Sequence, residues 1–359
     1  MVGRVGDAMF RSYRIENFRR QIRKAVAGLT ADSQIGGSLE VAQIHAIYES
    51  ECRSLDLTFE PMGRSARISG PGKPFHIWGY ATDLATSPLI GMTEDKPFVC
   101  DYLRGLGLPV PEGRSFDWRD ERGALAYAAT FPGEFVVKPA MDTSGGDGVS
   151  THLRSRRDAQ RAFRVAAMWS DEVLVEEHVA GEHFRVLVLR GKCISILHRV
   201  RPRVTGDGRA NIRTLIDREN ATRIQSSDWK LGDPPYMALG SGRSTLSYLA
   251  RSGLTLEDVP GVGEVIFLGG VANYSRGCTY VEVLDKANPE IVAACEQAAA
   301  ALGMEIAGVD VMCADISRPE FVIGEINIGP STQLHYFVEN PEKRVPVAEL
   351  ILRAHFDLK

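Results

Sequence analysis

Long apolar runs are missing from this 359-residue chain. That absence excludes the usual membrane-spanning helix. The N-terminal stretch has arginines but no apolar core of the secretory type, so no secretory signal is expected there. The six cysteines, Cys52, Cys100, Cys193, Cys278, Cys295 and Cys313, form no C-x-x-C pair. A chain of this length needs no disulfide staples, and free thiols in a reducing, cytoplasmic compartment are expected. A basic surplus is lacking too. The chain has 42 Lys and Arg against 46 Asp and Glu, a net charge of −4, which argues against a general nucleic-acid binder. There is no internal repeat and no low-complexity linker. What is present is ordinary for a globular protein, 44% apolar and 25% charged, with length enough for two to three structural units.

The stretch at 134–149, EFVVKPAMDTSGGDGV, stands out. Phe135, Val136 and Val137 suit a short buried strand, Lys138 follows at once, and then Ser144, Gly145, Gly146 and Gly148 make a loop. A strand ending in a lysine and then a glycine loop can offer a phosphate chain one fixed cation and several backbone N–H groups. Glycine lets the backbone approach closely. This is not the P-loop, which places its lysine after the glycines and opens a helix. The same residues also read as a surface hairpin loop with a solvated lysine.

Elsewhere the pattern is mixed α and β. Residues 1–36 are arginine-rich and are expected to form an N-terminal arm, with a weak helical pattern over 18–29. A small α/β lobe is expected over 37–92. It has a helix at 38–52 and short strands at 57–59, 66–68 and 75–78. Asp95 caps a helix at 95–107, with Lys96 at its start. Ser155 and Asp158 resemble a capping box for a helix at 156–169. A strand at 172–179 carries Glu176 and Glu177, which must point to opposite faces. Strands at 184–189 and 194–198 suggest a hairpin turning at Arg190 and Gly191, with Arg185 and Arg199 flanking it. A helix is expected at 211–220. Residues 221–262 are the least regular, with a helix near 244–252. Asn288, Pro289 and Gly303 mark a helix at 289–302.

Strands at 306–313 and 321–328, joined around Ser317 and Arg318, would set Asp310 opposite Glu325, with Asn327 on the same face. Two carboxylates so close repel unless a cation lies between them. Oxygen donors alone favour Mg²⁺ or Mn²⁺. An exposed strand face or a hydrogen-bonded turn network is the alternative. An unpaired acidic face is costly among such apolar strands, and this favours the metal.

These motifs resemble the ATP-grasp ligases, most closely the ATP-grasp portion of cyanophycin synthetases and of bifunctional glutathione synthetases. The resemblance runs over about residues 65 to 352. It includes Asp95-Lys96 with GLPVPEG at 107–113, the 134–149 stretch, LVEEHVAGEHFRVLVLRGK at 174–192, HRVRPRVTGDGRANIRTLI at 198–216, and GVDVMCADIS at 308–317 with GEIN at 324–327. It implies an α/β (α+β) ATP-grasp fold. The nucleotide would be held between two α+β subdomains, one at 93–172 and one at 173–359, the latter with an acceptor loop at 221–262.

It also implies roles. Lys96 and Lys138 would hold the α- and β-phosphates, with the 144–148 loop closing over them. Glu176 would accept from the adenine amino group, beside the backbone of Glu177 and Val179. Asp310, Glu325 and Asn327 would hold Mg²⁺, and Arg185 and Arg199 would face the γ-phosphate and an acyl-phosphate. The implied reaction joins an amino acid or short peptide carboxylate to an amine, with release of ADP and phosphate. A homodimer is common in the family. Three positions depart from it. His183 stands where relatives carry an acidic residue for the ribose. Arg276 and Gly277 follow Ser275 where relatives continue Thr-Gly-Gly, so Arg276 either binds a substrate carboxylate or is solvated. Ser331 replaces a glycine, while His335 matches a family histidine near the substrate. A non-catalytic nucleotide-binding protein, or acyl transfer to a hydroxyl or thiol, are the competing readings.

Overall fold

A computed structural model describes residues 32–141, 148–223 and 237–359. The expected helix at 18–29, the loop residues Ser144, Gly145 and Gly146, and much of the irregular 221–262 segment lie outside these residues. The described chain divides into two compact units, one of residues 32–38, 94–102 and 111–179, the other of residues 39–93, 103–110 and 180–359.

The second unit begins within α1 (Asp32–Ser54), at residue 39, followed by β1 (Thr58–Met62), β2 (Ser65–Ser69), β3 (Phe75–Trp78) and β4 (Ala81–Thr82), which pair in that order as an antiparallel sheet. Helix α2 (Ser87–Glu94) follows. The helical spacing of Ile44, Ile47, Tyr48 and Cys52 buries one stripe of α1 against Ile68, Phe75 and Ile77 of the sheet.

Helix α3 (Lys96–Gly105) starts where expected: Asp95 accepts the Phe98 N–H on its side chain at 3.0 Å. The first unit then builds one four-stranded antiparallel sheet in the order β5-β8-β6-β7, from β5 (Gly113–Asp117), β6 (Phe135–Pro139), β7 (Ser150–Leu153) and β8 (Glu172–Glu177). Helices α4 (Glu121–Ala128) and α5 (Arg156–Ala166) cover it, with Phe163, Ala159 and Ala166 packed on Phe135, Val137, Val173 and Val175. The Asp158 N–H donates to Ser155 Oγ at 3.1 Å, the cap its sequence suggested.

The rest of the second unit is a five-stranded antiparallel sheet in the order β13-β10-β9-β14-β15. Its strands are β9 (Glu182–Leu189), β10 (Lys192–Val200), β13 (Thr279–Glu282), β14 (Ile306–Cys313) and β15 (Val322–Asn327). The β9–β10 hairpin turns at Arg190 and Gly191, both with positive φ (47° and 75°), as a two-residue turn that matches strand twist requires. A small two-stranded piece, β11 (Arg203–Thr205) with β12 (Val265–Phe267), packs with α6 (Ile212–Arg223) and α7 (Arg243–Arg251) around Val204, Ile212, Leu249 and Ile266. Helix α8 (Pro289–Ala301), capped by Asn288, packs on β9, β10 and β14, and α9 (Val347–Phe356) closes the chain. Among the described residues no helix is long and apolar enough to cross a membrane.

The sequence reading had no element at α2, β4, β5, α4, β11, β12, β13 or α9. Strand β5 has one apolar residue, Phe116, and β12 has three residues in all, so neither shows alternation long enough to read.

Gly181 sits at φ 147°, and a Cβ there would lie 2.7 Å from the Cys313 carbonyl. Gly181→Ala is therefore expected to lower unfolding stability by about 1–3 kcal/mol, read as a lowered urea midpoint.

Candidate active site

In the first unit the strand register places the chemistry. Val136 pairs with Glu176 and Lys138 with Leu174, so Lys138 and Glu176 share a sheet face on neighbouring strands. Their side chains meet: Lys138 Nζ lies 2.5 Å from Glu176 Oε1, and Glu176 is buried. Glu177 turns to the other face, where its Oε1 accepts the Glu112 N–H at 3.1 Å. The Lys96 N–H donates to the Ala140 carbonyl at 3.3 Å, which brings the start of α3 beside the end of β6. Gly148 has φ 73° and packs against Trp169 and Pro139 so closely that a Cβ would overlap both. Val179 follows β8 directly.

In the second unit, opposed residues put the charged groups on one face of the five-stranded sheet. Asp310 stands opposite Arg185 on one side and Glu325 on the other; Arg199 stands opposite His183; Asn327 stands opposite Gly308. The expected Asp310–Glu325 pairing is thus present, with a bulge just after Asp310. One expectation fails. The sequence suggested carboxylates with few neutralising partners, yet Arg185 binds Asp310 with Nε at 2.6 Å and its terminal nitrogen at 3.2 Å. Arg199 adds contacts at 3.3 Å to both Asp310 oxygens. Consecutive-strand reasoning missed this because β9 lies between β10 and β14.

Burial pushes the Asp310 carboxyl up, but Arg185 and Arg199 together outweigh it and hold it below its ordinary range. Gly308 makes room: a Cβ there would lie 2.9 Å from an Arg185 guanidinium nitrogen. Arg199 Nε is buried with no hydrogen-bond partner among the described residues. Burial, then Arg199, keep His183 below its usual range and so neutral near pH 7. Ser275 and Arg276 sit on a separate element, the 3-10 turn Tyr274–Arg276, where Arg276 is exposed.

No family model matches the chain. Among known proteins it is 33% identical over 246 residues to a cyanophycin synthetase of Trichormus variabilis, covering 67% of this chain and 27% of that protein. It is 30% identical over 243 residues to the glutathione biosynthesis bifunctional protein GshAB of Streptococcus mutans, covering 66% of this chain and 32% of that protein. The crystal structure of a bifunctional glutathione synthetase from Pasteurella multocida superposes with a TM-score of 0.58 at 21% identity, over 84% of this chain and 41% of that one. The chain has the ATP-grasp fold and is similar to these proteins over about two thirds of its length. It spans 27% to 32% of the length of these two sequence relatives.

This ATP-grasp chain also carries polar groups that the sequence reading did not join. Ser195 on β10, Glu282 on β13 and His335 form one buried chain on the charged sheet face. The Ser195 hydroxyl donates to Glu282 Oε2, and Ser195 Oγ lies 2.5 Å from His335 Nδ1. Glu282 Oε1 accepts the N–H groups of Ile196 and Leu284, each at 3.0 Å. A carboxylate only accepts, so the hydroxyl gives its proton to Glu282 and accepts from His335 Nδ1–H. Arg223, buried, donates to the carbonyls of Gly277 at 2.6 Å and Met237 at 3.3 Å, holding the turn after Arg276. His335 had been noted in the sequence, but its partners are 140 and 53 positions away in the chain (335 − 195 and 335 − 282), and no local pattern links them.

Burial, with Arg185 next, pushes His335 from 6.5 down to about 3. Its folded form therefore stays neutral while the unfolded chain takes up a proton below pH 6.5. Stability from this group is complete above that pH and is lost as pH falls toward about 3, by about 1.4 kcal/mol per pH unit. Urea unfolding between pH 4 and 7 should show this slope, reduced by one proton in His335→Gln.

Proposed function

We propose that the chain is an ATP-dependent carboxylate–amine ligase that joins the carboxylate of an amino acid or short peptide to an amine. The observation that carries the reading is the sheet face on which Asp310 and Glu325 stand directly opposed, with Asn327, Arg185 and Arg199 beside them. The similarity to cyanophycin synthetase and to the glutathione protein supports it.

ATP is the phosphoryl donor in this reading. Lys96 and Lys138 bind its α- and β-phosphates, and Ser144, Gly145, Gly146 and Gly148 are assigned to the same phosphates. Glu176 takes the adenine amino group, with the backbone of Glu177 and Val179 alongside. Lys138 already spans toward Glu176, so the pair orders both groups before nucleotide arrives. His183 lies on the same face as Arg185 and Arg199, and it is assigned to the ribose.

The donor set of Asp310, Glu325 and Asn327 is all oxygen and fits Mg²⁺ or Mn²⁺. Four arginine contacts take up the about four acceptor positions of Asp310, so an ion bound there would displace the longer ones, those of Arg199 at 3.3 Å. A divalent ion there would neutralise phosphate charge. Arg185 and Arg199 are fixed cations, aimed by their shared hold on Asp310, and they stabilise charge on the transferring phosphoryl group. The substrate carboxylate oxygen takes the γ-phosphoryl group of ATP and ADP leaves; the amine nitrogen then attacks the carbonyl carbon of the acyl-phosphate, the C–N bond forms as the C–O bond to phosphate breaks, and the amine gives up a proton to solvent or to the departing phosphate. Ser275 and Arg276, on the turn held by Arg223, are assigned to the substrate side, where Arg276 suits a carboxylate.

The direct test is phosphate release from ATP and Mg²⁺ with amino acids and dipeptides, added singly and in pairs. Release that requires a particular pair is expected. ATP binding without release for any pair would favour a non-catalytic nucleotide binder. Glu325→Gln should cut turnover by about 100-fold or more; full turnover in that variant would remove the metal assignment. Lys138→Gln keeps a donor for Glu176 but loses the charge. It should weaken ATP binding roughly 10- to 100-fold, measured by calorimetry.

A further inference from the structure

We propose that Glu134, His152 and His178 form a transition-metal site of the zinc class in the first unit, separate from the nucleotide and Mg²⁺ residues. The three side chains offer one carboxylate oxygen and two imidazole nitrogens that all lie within 4.8 Å of one another. Both imidazoles address the same oxygen. His152 Nδ1 lies 2.6 Å and His178 Nδ1 3.6 Å from Glu134 Oε2. The two rings stand 4.1 Å apart, centre to centre.

Ligand atoms around a tetrahedral zinc sit about 3.3 Å from one another, given bonds of about 2.0–2.2 Å. The His178 separation is already at that spacing, and the His152 contact needs to open by under about 1 Å. The other carboxylate oxygen is engaged: Arg154 Nε donates to Glu134 Oε1 at 2.8 Å. This leaves Oε2 as a single donor and fixes its direction, the role an outer partner plays at metal sites.

The backbone holds the three residues by register. Glu134 immediately precedes β6, His152 lies in β7, and His178 immediately follows β8. Phe135 pairs with both Leu153 and Glu177, and the His178 N–H donates to the Glu134 carbonyl at 3.0 Å. His152 keeps a left-handed φ of 57°, a conformation that persists where the surrounding structure imposes it. Burial, then His152, hold His178 below its usual range, and a neutral imidazole is the form that ligates.

The site is reachable, with side-chain exposures of 38% for His152, 22% for Glu134 and 17% for His178, so water can fill a fourth position. Two nitrogens and one oxygen suit Zn²⁺ and its neighbours in the first row rather than Mg²⁺. Bound metal would clip the ends of three strands together. The site does not depend on the ligase reading, because none of its residues is assigned to ATP or substrate.

The test uses the full chain, stripped of metal by chelation and then held in excess Mg²⁺ to occupy oxygen-only sites. Zn²⁺ is added in a calorimeter, and Co²⁺ is added in parallel as a visible-absorbance probe. One equivalent of Zn²⁺ is expected, with Co²⁺ bands of low-coordinate type and no thiolate charge-transfer band. His152→Ala and His178→Ala should each weaken Zn²⁺ binding at least about 100-fold and abolish the Co²⁺ bands. His152 is the more exposed of the two, so its variant tests the site if His178→Ala fails to fold. Absence of Zn²⁺ binding in the parent chain would overturn the proposal. So would unchanged binding in folded His152→Ala, which would show that the contacts are only a His–Glu–Arg hydrogen-bond network.

Discussion

The hold of Arg185 on Asp310, 2.6 Å at its shortest, is the contact on which the polar face of the larger sheet depends. A carboxylate on a central strand, flanked by apolar residues on β9 and β14, is costly to desolvate unless opposite charge sits against it. Arg185 supplies two parallel donors and Arg199 supplies a third from the next strand. Gly308 follows from the same need, since a side chain there would fill the guanidinium's place. Glu325 and Asn327 stay in regular register opposite Asp310 and Gly308, and the shift comes only beyond them, where Gly324 is passed over and Val311 pairs with Ile323.

The two faces of this sheet divide the work. Val186, Val188, Ile196, Val309 and Ile326 lie on the opposite face from Arg185, Arg199 and Asp310, and helix α8 packs on this sheet. The other face has its own apolar cluster, Leu197, Tyr274, Cys278, Tyr280 and Leu334, beside the charged groups. The Ser195–Glu282–His335 chain lies on this side, so the polar residues sit in a rigid, mostly dry setting. Hydrogen bonds and charges are worth more there than in water, and an unmet one costs more. A fixed field of that kind suits stabilising charge on a phosphoryl group, because little reorganisation is left to do when the reaction begins.

The smaller unit solves a related problem with less material. Its two central strands carry the Lys138–Glu176 pair, while the strand ends gather Glu134, His152, Arg154 and His178. One four-stranded sheet thus carries two ionic groupings. Position along the strands keeps them apart on one shared face: Glu134 lies four residues before Lys138, and His178 two residues after Glu176.

Local chemistry in the chain was enough for the Ser155 and Asn288 caps, the Arg190-Gly191 turn, and the pairing of Asp310 with Glu325 across a short connection. Each of these depends on residues close in sequence, where propensity and turn geometry decide the outcome. The motif order was likewise enough for the fold. Tertiary structure decided what neighbours what across the sheet. It put β9 between β10 and β14, and so gave Asp310 two arginines that lie 125 and 111 residues away. It also joined Ser195 to Glu282 and His335, and brought His152 and His178 onto one oxygen of Glu134. Period-2 alternation tells which face a side chain takes, but strand order is set by the packing of the whole core.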